Sequence, residues 1–419
     1  MKKITIKVFS AFAGFDTQFI AFKKYEKWFN DANTEGCRIE FKLVGWCEID
    51  PYAIQCHNAL FPKAAKCHFP DITKIDWNRV PSFDVLFYSS CCQSITRTGA
   101  QKGMTEGSGT PSSLIWYIRD AIRIKKPKVC ILENVPALLE NKFVGQFEKW
   151  SDALEELGYR NTWSTLCAAD YGVPQNRDRV FLVSVREDLQ KRVNFPCSIG
   201  CHNSAEKFLE RKKVDNKYYF SEEDAMKFLL AVNGKTTNVT THPQFEDGDK
   251  LVKKICALSC KEYEETKLHV VPTLVADKNY EKVTYERMLS SAHYPRIGVL
   301  EVWEKSINVE FSYKQVLDGD SSNKKDKFRI INASLSAING QVTKLGSNQY
   351  LRLRRSTPHE WFMLMGVPND AIKKLISSGV PEAQLYKMAG NAIVVPVLEH
   401  LYATIFSDIH TWWNTPFAQ

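Results

Sequence analysis

Ile4-Thr5-Ile6-Lys7-Val8-Phe9, running into Ser10-Ala11-Phe12-Ala13-Gly14-Phe15-Asp16, is the stretch on which the fold turns. Ile4–Phe9 is a short apolar run rich in β-branched residues, and a glycine closes it. That pattern predicts a buried strand ending at Ala13-Gly14. Thr17–Tyr25 follows with helical spacing. The unit then repeats. Phe41–Cys47, Phe83–Tyr88, Val129–Glu133 and Val180–Val185 read as strands, and Pro51–Leu60, Ser112–Ile124 and Phe147–Leu157 as helices. Strands alternating with helices predict an α/β fold built on a doubly wound, mainly parallel sheet. Such sheets bind ligands beyond the carboxyl ends of their strands, so each loop after a strand is a candidate for chemistry. Past Arg186 the alternation stops. Residues 197–250 carry polar and Asn/Gly-rich patches, 318–327 read as an exposed loop, and Val270–Leu274 reads as a structural junction. Helical spacing returns at Thr357–Leu364 and Ala392–Ile405.

Composition bounds the function. The chain has 419 residues, 44% hydrophobic and 25% charged, which suits two to three packed domains and excludes disordered, collagen-like and disulfide-scaffold proteins. Lysine and arginine exceed aspartate and glutamate by 56 to 48, a net +8 that permits nucleic acid as a partner without demanding it. No uninterrupted apolar run reaches the ~20 residues of a membrane span, and the N-terminus lacks the apolar block of a secretory signal. A soluble intracellular protein is expected. Most of the twelve cysteines then read as buried reduced thiols. The pairs Cys197/Cys201, beside His202, and Cys256/Cys260 lack the two-residue spacing of a zinc knuckle, and no metal site is expected.

The strand ends carry the chemistry. Gly14 lets backbone approach a ligand closely. Glu48 and Asp50, after the second strand, can accept hydrogen bonds from ribose hydroxyls or cap the next helix. Asp71-Ile72 can bond and pack against a purine, or simply form a turn. Cys91-Cys92-Gln93-Ser94 ends the third strand and opens into a Gly/Ser/Thr loop, a placement that packing explains poorly and a nucleophile explains well. Glu133-Asn134 is delivered by an apolar strand, and a partly buried carboxyl there suits proton donation. In Gln175-Asn176-Arg177-Asp178-Arg179, the two arginines share one side of an extended segment. They can bind phosphate or a carbonyl oxygen, or brace nearby acids.

In this order the elements resemble the cytosine-C5 DNA methyltransferase family, of prokaryotic or phage type. Phe12-Ala13-Gly14 resembles its cofactor loop and Cys92-Gln93 its catalytic loop. Glu133-Asn134-Val135 and Gln175-x-Arg177-x-Arg179 resemble its base-handling motifs. Thr357-Pro358-x-Glu360 with Leu364-Met365-Gly366-Val367-Pro368, and Tyr386-Lys387-x-x-Gly390-Asn391-Ala392, resemble its closing segments. The resemblance covers residues 4–195 and 348–405. It implies a Rossmann-like methyltransferase domain in two parts (1–195 and 348–419) around a smaller, irregular target-recognition domain (196–347). It also implies S-adenosylmethionine as cofactor and duplex DNA as partner, with a monomeric enzyme in the prokaryotic cytosol, alone or with a cognate restriction endonuclease. By the same resemblance Cys92 attacks C6 of a flipped cytosine, Glu133 protonates N3, Arg179 contacts O2, and Arg177 and Gln93 support the site. Phe12, Ala13, Gly14, Glu48, Ile49, Asp71, Ile72, Asn391 and Ala392 bind the cofactor. Ser94, Arg97 and Lys102 lie in a mobile DNA-contacting loop. A tRNA cytosine methyltransferase and a catalytically impaired DNA-binding relative are the alternatives. The departures from the pattern are Cys91 in place of proline, Ser10 and Asp16 where an acid and a second glycine are common, and Ala392 in place of a common serine.

Overall fold

The computed structural model describes residues 2–33, 36–96, 100–200, 202–221, 250–257, 261–262, 269–272, 298–304 and 349–413. Seven strands form the main sheet. In chain order they are β1 (Lys2–Ala11), β2 (Cys37–Cys47), β3 (His68–Phe69), β4 (Val85–Tyr88), β5 (Val129–Asn134), β6 (Tyr159–Cys167) and, after the two-residue β7 (Gln175–Asn176), β8 (Asp178–Arg186). Their spatial order is β3-β2-β1-β4-β5-β8-β6. From β3 to β5 every neighbouring pair is parallel; β8 runs antiparallel to both β5 and β6. The mainly parallel sheet expected from the alternation is therefore present, with an antiparallel edge.

Strand β1 shows how the sequence builds both layers. Ile4, Ile6 and Val8 face one side, and Phe9 and Ala11 the other, as the two-residue period of a strand requires. The first face packs against α1 (Thr17–Ala32). The second belongs to a core shared with α3 (Trp116–Lys125) and α4 (Val144–Glu156). α2 (Pro51–Leu60) has the bounds the sequence predicts, because Asp50 caps it and Pro51 starts it.

The C-terminal helices return to this layer. α5 (Pro358–Met363) opens on a capping box between Thr357 and Glu360. α6 (Asn369–Ile376), α7 (Glu382–Asn391), α8 (Val395–Phe406) and α9 (Ile409–Trp412) follow. α8 lies on α1, with Tyr402 stacked on Phe22 at 3.9 Å. By length and composition, Glu382–Phe406 is apolar enough for a membrane span, but 67% of that window is buried inside the fold. The break between α7 and α8 also interrupts it.

Two small sheets flank the main one. β9 (Lys250–Ala257), β12 (Gly298–Glu304) and β13 (Gln349–Arg355) are antiparallel; β10 (Lys261–Glu262) and β11 (His269–Pro272) join β7. A wholly buried ion cluster ties the first of these to α5. Arg354 donates from Nε to Glu301 at 2.7 Å and from Nη1 and Nη2 to Glu360 at 2.8 and 2.7 Å. Tyr219 Oη donates to Glu301 at 2.7 Å.

Candidate active site

The carboxyl ends of β1, β2, β4 and β5 meet in one place, and nearly all the residues singled out from sequence lie around it. The turn after β1 is left-handed at Phe12 (φ 54°), Gly14 (57°) and Asp16 (68°). Ala13 N–H donates to the Cys47 carbonyl at 2.9 Å, which docks the turn on β2. Glu48 receives three backbone donors: Gly14 N on Oε2 at 2.8 Å, and Ile49 N and Asp50 N on Oε1 at 2.8 and 2.9 Å. Asp50 serves the adjoining helix, accepting from Tyr52 N, and binds Lys387 Nζ of α7 at 2.6 Å. That contact, which sequence reasoning missed, pins the C-terminal segment to the second strand's loop.

The turn, Glu48 and Ile49 fit an adenosyl group. Ile49 is 72% exposed, an apolar side chain left uncovered beside an oriented carboxylate. A Cβ added to Gly14 would meet nothing within 4 Å, so the space before the turn is open. Asp71 accepts from Thr73 N and Oγ1 at 3.0 and 2.8 Å and pairs with Lys74, while Ile72 is buried. Ala392 is buried and Asn391 exposed.

On the other side of the β4 loop lies a second group. Glu133, at the end of β5, takes Arg179 Nε on Oε1 at 3.1 Å and Ser89 Oγ on Oε2 at 2.5 Å. Asn134 donates to Ser90, which steadies the same loop. Cys92 belongs with this group. Burial and then the Glu133 carboxylate raise its thiol above the ordinary value, and the Arg179 and Arg177 guanidiniums pull against them. The neighbouring Cys91 answers to a different acid: burial, then Glu48, then Cys92 push it up to about 11. The two thiols thus sit in separate electrostatic surroundings, one on the Glu133 side and one on the Glu48 side. Residues 91 and 92 alone offer no sequence signal for that division.

Arg177 is 2% exposed and turns from the base-facing side toward α7, donating from Nη2 to the Gly390 and Ala392 carbonyls at 2.8 Å each. Gln175 likewise donates to the Leu364 carbonyl at 2.7 Å. Of the sequence's alternatives for the arginine pair, Arg179 takes the acid-bracing one, on Glu133, and Arg177 binds carbonyl oxygens, those of the backbone at Gly390 and Ala392.

The loop after Cys92 is anchored in this conformation on both sides of residues 97–99. Ile95 and Met104 are fully buried, and Ser94 is buried as well. Gly103 N donates to the Ser94 carbonyl at 2.8 Å, Met104 N to Gln146 at 2.6 Å and Trp116 Nε1 to the Met104 carbonyl at 2.8 Å. Two apolar anchors hidden among Gly, Ser and Thr hold this loop down. In this conformation Ser94 is not offered to a phosphate, whereas Gln93 and Lys102 are exposed. Arg97 lies outside the described residues.

A doubly wound sheet with a glycine turn, the Glu48 carboxylate beside it and a strand-end Cys/Glu/Arg group suits an S-adenosylmethionine-dependent methyltransferase. The comparisons narrow the class. The family model for C-5 cytosine-specific DNA methylase matches residues 6–407. The orphan methyltransferase M.SPRI of Bacillus phage SPR is 25% identical, covering 90% of this chain and 94% of that protein. The type II methyltransferase M2.ScrFI of Lactococcus lactis subsp. cremoris is 30% identical, covering 81% of this chain and 71% of that protein. The solved Entamoeba histolytica methyltransferase EhMeth shares the fold, with a TM-score of 0.59, 15% identity, and 97% of this chain and 99% of that one covered. The chain belongs to the C-5 cytosine-specific DNA methylase family: it is a DNA cytosine-5 methyltransferase that uses S-adenosylmethionine.

Proposed function

We propose that this enzyme methylates a cytosine rotated out of a specific duplex DNA sequence, through a transient bond between Cys92 Sγ and C6 of the base. The reading is supported by the strand-end grouping of Cys92 with Glu133, whose Oε1 takes Arg179 Nε at 3.1 Å. Cytosine C5 is too weak a nucleophile to take a methyl group unaided. Addition of the Cys92 thiolate to C6 makes C5 enamine-like, and Glu133 supplies a proton to N3 as charge builds there. Arg179, already on Glu133 Oε1 at 3.1 Å, holds that carboxyl in place and reaches the O2 side of the base. S-adenosylmethionine, held by the Phe12–Gly14 turn, Glu48, Ile49, Asp71-Ile72 and Asn391-Ala392, supplies the electrophilic methyl. Loss of the C5 proton then breaks the C6–S bond and frees Cys92. Base extrusion costs a few kcal/mol; Gln93 and the loop through Pro111, with Ser94, Arg97 and Lys102, fill the gap and contact phosphates once that loop rearranges onto DNA.

Residues 196–347 carry sequence recognition, between catalytic parts 1–195 and 348–419. The enzyme works as a monomer on cellular DNA, and the orphan status of M.SPRI favours action without a cognate endonuclease. The test is transfer of tritiated methyl groups to duplex DNA and to tRNA, with bisulfite sequencing of DNA from expressing cells. Label on DNA at one recurring cytosine context supports the reading; label on tRNA alone overturns it.

A further inference from the structure

Beneath the cofactor turn lies a polar group that the proposed chemistry does not use. Ser10, Asp16 and His57 are wholly buried and in contact. Asp16 Oδ1 accepts from Ser10 Oγ at 3.0 Å and from Phe19 N at 3.1 Å, and Oδ2 lies 3.3 Å from His57 Nε2. The His57 ring stacks on Trp46 at 3.5 Å, and Trp46 stacks on His68 at 4.1 Å. His68 Nε2 meets the Glu48 carbonyl at 2.9 Å, and the Glu48 carboxylate takes Gly14 N–H at 2.8 Å. These contacts close a ring around the cofactor turn and its ribose-side acid. His57 Nδ1 has no partner among the described residues, so the ring's orientation rests on Asp16 and the stack. Asp16 itself holds a left-handed backbone that side chains adopt only under constraint.

We propose that Asp16 and His57 are positioning residues for the cofactor turn, and that the turn requires one buried carboxylate in a space shared by positions 10 and 16. Side chains 3.0 Å apart reach the same space, so a carboxylate from either backbone can serve His57 and the Phe19 amide. Two carboxylates there repel, and none leaves His57 Nε2 without its partner.

This rests on the assignment of the turn to S-adenosylmethionine. The experiment is calorimetric binding of S-adenosylmethionine to the full chain, with a thermal melt for every variant and separate KM and kcat values. Wild type, Asp16→Asn, His57→Phe, Ser10→Asp, Asp16→Gly and the double Ser10→Asp/Asp16→Gly are compared. The expected result is at least tenfold weaker binding in each single variant, with KM for the cofactor rising more than kcat falls. The double variant recovers to within threefold of wild type. Wild-type affinity in folded Asp16→Asn and His57→Phe overturns the proposal, as does a double variant no better than its singles. A single variant that fails to melt cooperatively is read through the double: joint recovery of folding and affinity supports the shared site, and a double that stays unfolded overturns it. A folded wild-type protein that binds no S-adenosylmethionine instead overturns the cofactor turn's assignment.

Discussion

Replacing Arg354 by methionine should destabilise the protein by about 3–5 kcal/mol at neutral pH, the usual cost of stripping the partner from a buried charge. Arg354 satisfies two carboxylates at once, through bonds of 2.7, 2.8 and 2.7 Å, and Arg354, Glu301 and Glu360 are all inaccessible to solvent. The pH dependence should also change sign. In the wild type, burial pushes Glu360 up, but the Arg354 guanidinium outweighs it, helped by the Glu210 and Thr357 amides, and leaves Glu360 below the usual carboxylate range. A depressed folded value adds stability that is present above the unfolded value and lost as pH falls through the folded one. Without Arg354, burial is opposed only by the Glu210 and Thr357 amides, and the folded value should rise above the unfolded one. Arg354→Met should therefore gain stability between about pH 7 and about pH 5, where the wild type has nothing to gain from this group. Urea unfolding read by tryptophan fluorescence at both pH values measures this. Adding Glu301→Gln and Glu360→Gln should restore most of the loss. A single variant within about 1 kcal/mol of wild type at pH 7, or one that loses stability on acidification, refutes the reasoning.

Glu133→Gln removes the carboxylate that raises Cys92, so iodoacetamide should label Cys92 faster at fixed pH while methyl transfer falls about 10²–10⁴-fold; slower labelling contradicts the assignment. For the same reason, wild-type labelling of Cys92 should still be climbing with pH above the ordinary thiol range, and a plateau near neutrality would count against a raised thiol. Arg177→Met loses two charge-assisted bonds to the Gly390 and Ala392 carbonyls and should cost about 1–3 kcal/mol in denaturant unfolding. Gly103→Ala places a Cβ about 2.5 Å from the Gln146 side chain at φ +77°. It should slow methyl transfer while leaving calorimetric cofactor affinity unchanged, because it disturbs the loop and not the cofactor turn.

Much of the catalytic half was legible because its signals are local. A β-branched run ending in glycine gave β1, the Asp50-Pro51 start gave α2, and an apolar run ending in Glu-Asn gave β5. What escaped depends on long-range geometry. Nothing near Val180 marks β8 as antiparallel to β5, since that register couples Glu133 to Phe181 across 48 residues of chain. Arg354 and Glu301 carry no local signal of the burial that joins them to Glu360. Asp16 read only as a departure from glycine, because its partner His57 lies 41 residues away. The loop after Cys92 hid its anchors for the opposite reason: among Gly, Ser and Thr, nothing local marks Ile95 and Met104 as the buried residues they are in this conformation.

Cys92 as the nucleophile of a cytosine-C5 methyl transfer leaves a covalent trace that can be trapped. A duplex carrying 5-fluorocytosine at the target blocks loss of the C5 substituent, so the enzyme should remain joined to the DNA. With S-adenosylmethionine present, mass spectrometry of the trapped peptide should place the base on Cys92, with a methyl group at C5. Cys91→Ala should form the same adduct and Cys92→Ala none. An adduct on Cys91, or methylated DNA formed by Cys92→Ala, would contradict the account.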